Sequence, residues 1–136
     1  MSRRHAGPAL APVPLLLLVL AGCGGMHATL PACAQRTAIS AAPAVHLPTG
    51  SVVYGRRTSL GATLWSVVTP GSVESVVAAY KSKLHADGYA VTGGEVDEHD
   101  AEAEFGRGRS IVRLRLAELH GCSGAIDARL ATLRRP

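Results

Sequence analysis

Apolar residues recur at spacings of three and four between Ser72 and Ala86. Val73, Val76, Val77, Tyr80 and Leu84 form one stripe of an amphipathic helix. Glu74 stands in its first turn and Lys81 and Lys83 toward its end, where their charges complement the helix dipole. Thr69 or Ser72 can cap the start, and Pro70 is tolerated there. Gly88 suits the left-handed position past the end, from which Tyr89 can fold back on Leu84.

On either side of this helix the period falls toward two. Gly61–Thr69 carries Leu64, Trp65, Val67 and Val68 and stops at Pro70-Gly71, which predicts a strand leading into the helix. Tyr89–Thr92 predicts a short strand broken by Gly93-Gly94. Asp100–Phe105, Ile111–Leu119 and Ile126–Leu133 follow, with a further strand near Val52–Arg56. The fold class is α+β: one helix on a mainly antiparallel sheet, in the order β-α-β-β-β, because short links favour antiparallel neighbours. A turn centred on Arg107-Gly108 sets Glu102 against Arg113 and Asp100 against Arg115 on one face. Ala103 then meets Val112, and Ala101 meets Leu114, on the other. The charged face, extended by Asp127 and Arg129, reads as solvated. Val112, Leu114, Leu116, Ile126, Ala128 and Leu130 read as the inner face.

The amino-terminal pattern is different. Arg3 and Arg4 precede a greasy run, Ala9–Leu20, and small residues close it. That order is a secretory signal. About 12 apolar residues with Pro12 and Pro14 among them are too few for a span, which takes about 20. Leu20-Ala21-Gly22-Cys23 resembles the lipobox of bacterial lipoproteins. The resemblance implies cleavage before Cys23, acylation of its thiol, and anchoring of residues 23–136 to a bacterial membrane with the domain outside the cytoplasm. Whether that membrane is inner or outer stays open. Two or more acyl chains hold a protein stably on a bilayer.

Three segments result: a signal over 1–22, the lipidated cysteine with a linker or strap over 23–49, and a small α+β domain over 50–136. Residues 24–49 are rich in Ala, Gly, Pro, Thr and Ser. Loss of Arg3 and Arg4 lowers the net charge from +4 to +2. So small an excess, with one Trp, three Tyr and one Phe, argues against a nucleic-acid binder. With Cys23 acylated, Cys33 and Cys122 remain, and outside the cytosol they are expected to form a disulfide. The free tether, Cys23 to Cys33, then spans at most about 35 Å. Residues 34–49 would lie along the domain as a strap.

Candidate chemistry is sparse. His120-Gly121-Cys122 hints at a Cys/His nucleophile, and a bridge at Cys122 would remove it. Glu95, Asp97, Glu98, Asp100, Glu102 and Glu104 are oxygen ligands, but their spacing is not that of a calcium loop. His27, His46, His85 and His120 lack zinc-ligand spacing, and His99 beside a carboxylate reads as a pH-sensitive contact. No catalytic residue, metal or cofactor is assigned. Arg107, Arg109, Arg134 and Arg135 can meet anionic headgroups, as can Arg56 and Arg57.

Val76-Val77-Ala78-Ala79-Tyr80-Lys81, with Leu84 and Gly88-Tyr89, resembles a helix found in small exported bacterial proteins, where it precedes an antiparallel sheet. The likeness covers about residues 60–133 and implies a fold without a defined activity. Three functions are expected in descending order. They are a non-catalytic envelope module with an unidentified protein partner, a carrier of an apolar ligand between helix and sheet, and a small hydrolase.

Overall fold

A computed structural model describes residues 29–136. The signal run and Cys23 lie outside the described residues. Six strands form one sheet: β1 (Val52–Ser59), β2 (Ala62–Pro70), β3 (Ala90–Val96), β4 (Asp100–Arg107), β5 (Ser110–Glu118) and β6 (Ala125–Arg134). Their spatial order is β1-β2-β6-β5-β4-β3, with every neighbouring pair antiparallel. Helix α1 (Val73–Ala86) lies between β2 and β3 in the chain and packs on β3, β4 and β5. The chain order is therefore ββαββββ. The segments read as strands near Val52–Arg56 and after the helix are all strands, so the expected order β-α-β-β-β is one strand short after the helix and leaves out β1.

The helix ends follow from local chemistry. Ser72 and Ser75 form a reciprocal capping box: each side chain receives the other residue's backbone N–H. Thr69, the other candidate cap, is buried inside β2 and shares a 2.8 Å hydrogen bond with Ser51. At the far end the Tyr89 N–H donates to the Leu84 carbonyl and the Gly88 N–H to that of His85, each at 2.9 Å. This is the Schellman pattern, with Gly88 at φ 84°.

The helix stripe and the inner sheet face make the core. Tyr80, Leu84, Phe105, Leu116 and Leu130 are fully buried there, and Ala101, Ala103 and Ala128 are buried among them. Fully burying such apolar side chains contributes about 1.5–3 kcal/mol each. The Tyr80 hydroxyl is also enclosed. It sits near Ser51 and Thr69 without a hydrogen bond of good geometry, and burial pushes its pKa up to about 12.

The register of the β4–β5 hairpin differs from the expected one by two residues. The observed pairs are Glu104–Arg113, Glu102–Arg115, Ala103–Leu114 and Ala101–Leu116. The turn is Gly108-Arg109, not Arg107-Gly108. Gly108 takes φ 57° at the first central position, and Arg109 needs no positive φ. The expected turn would have forced an arginine into the left-handed region. A shift of two keeps every side chain on its face, so the division into charged and apolar faces stands while the partners change.

Gly93 and Gly94 also correct the reading. They do not break β3 but lie inside it, beside a bulge between Val91 and Gly93. A Cβ on Gly94 would come within 2.4 Å of the Glu102 carbonyl oxygen, so only glycine lets the backbones approach there.

Residues 29–51 carry one short 3-10 turn, Ala32–Ala34, and otherwise pack without regular structure. A disulfide joins Cys33 to Cys122, with Cα atoms 5.7 Å apart. Around it Ala34, Val68, Cys122 and Ala125 form a second small apolar cluster, with Leu30, Val52, Tyr54 and Leu119 against it. The strap then runs beside the edge strand, where the Ile39 N–H donates to Val53. It ends in the main core through Val45 and Leu47. Between these two, the His46 backbone N–H donates to Asp87 at 2.7 Å, and its ring meets the same carboxylate just past the helix end.

Candidate functional site

The sheet face opposite the helix is open across its middle. The register lays its side chains in cross-strand rows. One row runs Arg57, Leu64, Ala131, Arg113, Glu104, Gly93 and the next Gly55, Ser66, Arg129, Arg115, Glu102, Glu95. Cations thus occupy β1, β5 and β6, and carboxylates occupy β4 and β3. Leu64, Ala131 and the bare backbone of Gly93-Gly94 supply apolar floor. With Glu102, Glu104, Arg113, Arg115 and Arg129 they line a shallow groove of about 540 Å³.

Two physical oddities mark this face. Arg115 stands directly opposite Arg129, and Glu95 opposite Glu102, arrangements that are destabilising unless each charge finds another partner. Arg115 pairs with Glu102 at 3.2 Å and Arg113 with Glu104 at 2.8 Å. Arg129 reaches Asp127 at 3.0 Å and donates to the Ser66 hydroxyl at 2.5 Å. Asp127 in turn accepts the Tyr54 hydroxyl at 2.6 Å. Partial burial raises the Tyr54 pKa, and the Asp127 carboxylate adds to the effect. Arg113 and Thr92 hold Glu104 below the ordinary carboxylate range, the Arg113 hydrogen bond contributing most. Exposed pairs of this kind add about 0.2–1 kcal/mol each. The pairing fixes where the charges stand more than it stabilises the fold.

A second groove, of about 730 Å³, lies at the sheet end that holds the β5–β6 loop. His99, Glu118, His120 and Cys122 line it together, along with Ser72 and Ser123. His99 Nδ1 lies 3.2 Å from Glu118, both side chains being exposed. Here the sequence candidates His99, His120 and Cys122 do converge. The sulfur of Cys122 is committed to the disulfide, so the groove presents no thiol nucleophile from that residue. Among the described residues, no three His, Cys, Asp or Glu side chains gather to hold a metal ion. His46 and His85 lie at the other end of the domain, by the helix terminus.

The four arginines singled out for surface contact come together at that other end. Arg107 and Ser110 flank the turn, Arg134 pairs with Ser110, and the Arg135 N–H donates to Arg109 at 2.8 Å. Arg107 is partly engaged. It stacks 4.6 Å over Tyr89 and donates to the Asp87 carbonyl at 2.6 Å, completing the helix cap. Arg56 likewise stacks on Trp65, at 5.2 Å. The opposite end carries Glu74, Asp97, Glu98, Asp100 and Glu118, so the domain is polarised along its strands. The sequence placed Glu102, Arg113, Arg115, Asp127 and Arg129 on one solvated face but not in these rows, because rows exist only once the strand order is known.

No protein-family model matches the chain, and comparison with curated proteins and with solved structures gives no significant match.

Proposed function

We propose that the chain is a lipid-anchored module of a bacterial cell envelope that binds a partner protein through the open face of its sheet and performs no catalysis of its own. The anchor is the acylated thiol of Cys23, read from Leu20-Ala21-Gly22-Cys23. The observation that carries the binding reading is the charge layout of the open face. Arginines on β5 and β6 and glutamates on β4 flank an apolar floor, which suits a partner surface bearing the opposite pattern. A carrier function between helix and sheet finds little room, since Tyr80, Leu84, Phe105, Leu116 and Leu130 fill that interface.

Two measurements test this reading. Palmitate labelling of the full chain in a bacterial host should mark the protein, and Cys23→Ala should abolish the label. A photo-crosslinking side chain at Leu64, on the groove floor, should capture one discrete envelope protein. The same group at Ser82, on the exposed face of α1, should not. Equal adducts from both positions would refute the open face as the binding surface.

A further inference from the structure

Leu60 is anomalous in two independent ways. It is fully exposed, at the tip of the β1–β2 hairpin. It is also the one non-glycine residue with positive φ among the described residues, at 48°, followed by Gly61 at 77°. A two-residue hairpin turn with both residues left-handed calls for Asn or Asp before Gly. Asn is better hydrated and tolerates that backbone region, whereas leucine is costly on both counts. Local strain of this kind concentrates where a surface has work to do.

The surroundings say what that work is. β6 runs past the hairpin, with Thr132 opposite Thr63, and ends at Arg134, with Arg135 next in the chain. Arg109 is tied to Arg135 by two hydrogen bonds, at 2.8 and 3.3 Å. An apolar prong therefore projects from the same sheet end as three cations, Arg109 in the turn, Arg134 at the end of β6 and Arg135 after it, the last 3.9 Å from Glu104. A soluble polyanion would engage the arginines and leave Leu60 in water. An anionic bilayer satisfies both, with lipid phosphate for the arginines and the headgroup–acyl boundary for the leucine.

We propose that this end of the sheet docks on the anionic bilayer in which the chain is anchored, Leu60 entering the interface and Arg109, Arg134 and Arg135 meeting headgroups. The orientation rests on the anchored reading of Cys23; the affinity of the tip for lipid does not. The tether joins the domain at Cys33, beside the β5–β6 loop at the opposite end. A nine-residue strand is about 30 Å long, and the tether reaches about 35 Å. The tether is therefore long enough for the tip to dock while the Cys33 end stands away from the bilayer, which leaves the open sheet face accessible.

The test uses the full chain, purified from membranes and reconstituted into vesicles of acyl-brominated phosphatidylcholine with or without phosphatidylglycerol. Leu60→Trp places a fluorophore at the tip, and Ser123→Trp places one at the far end. Trp65 is buried and supplies a constant background. Leu60→Trp emission should be quenched with phosphatidylglycerol present, and Ser123→Trp emission should not. Joint replacement of Arg109, Arg134 and Arg135 by Gln should weaken docking of the tip about a hundredfold and abolish the quenching. Leu60→Asn should raise the thermal midpoint in solution, because it suits the turn. Equal quenching of the two tryptophans, or quenching indifferent to the three arginines, overturns the proposal. Mass analysis of the same preparation separates the two readings. An acylated Cys23 with an unquenched tip sinks only the docking. A quenched tip on an unmodified Cys23 sinks only the anchor.

Discussion

Removing the Cys33–Cys122 bridge should cost the domain a large part of its stability, and should do so through the unfolded chain. The bridge closes a loop with a sequence separation of 89. Loop-closure entropy for that length gives about 4.6 kcal/mol at 25 °C. In the folded state little should move. Val45 and Leu47 hold the strap in the main core, the Ile39 N–H bonds Val53, and His46 meets Asp87, all independently of the sulfurs. The assay is urea unfolding of oxidised protein, of reduced protein, and of the Cys33→Ala/Cys122→Ala pair. Alanine is preferred to serine because Cys122 is buried in an apolar cluster, where a hydroxyl would be left unpaired. Stability should fall by about 3–5 kcal/mol and the urea dependence should steepen, since an uncrosslinked chain exposes more surface on unfolding. A loss below about 1 kcal/mol would refute the reasoning, because it would mean that the unfolded chain is compact without the bridge.

Three further outcomes follow from the packing and the charges. Gly94→Ala should destabilise by about 2–4 kcal/mol, since its Cβ would collide with the Glu102 carbonyl at 2.4 Å and the backbone there takes φ 140°; wild-type stability in urea would contradict the close approach of β3 to β4. Tyr80→Phe should hold or gain about 1 kcal/mol, because it removes a buried hydroxyl without a well-formed hydrogen bond; a loss above about 2 kcal/mol would show that Ser51 and Thr69 do satisfy it. Asp87 is held below the ordinary carboxylate range, chiefly by the His46 backbone N–H and then by the His46 ring. A depressed folded pKa contributes stability above the unfolded value that is lost as pH falls through the folded one, so stability should drop below about pH 4. Asp87→Asn should flatten that acid limb in denaturation curves taken near pH 7 and near pH 3, and an unchanged limb would show that the strap clasp is not linked to it.

Much of the secondary structure was legible because each element carries its own punctuation. The helix stripe, Ser72, Gly88 and Tyr89 are local signals, and they sit where such signals belong in the observed helix. The charged and apolar faces of β4 and β5 were legible for the same reason, since alternation survives any shift of two residues. The partners were not, because Gly108 can serve at either turn position, and only φ decides between them. Gly93 and Gly94 misled because a glycine pair reads as a break in a single strand. Their real cause, the Glu102 backbone pressed against them, belongs to another strand. Of the candidate surfaces, His99, His120 and Cys122 were recognised as residues but not as one groove, and Leu60 carried no signal at all.

The sequence by itself determined where the helix starts and stops, which strand residues face inward, and that Cys33 and Cys122 are available to pair. These are set by spacing and by the φ and hydrogen-bonding preferences of individual residues, which act over a few positions. The tertiary structure decided the strand order β1-β2-β6-β5-β4-β3 and the cross-strand rows that it creates. It also decided the gathering of arginines beside Leu60 at one end and carboxylates at the other. Those depend on which strands become neighbours, a choice made by burying the whole inner face under α1 and the strap at once, and no short stretch of chain encodes it.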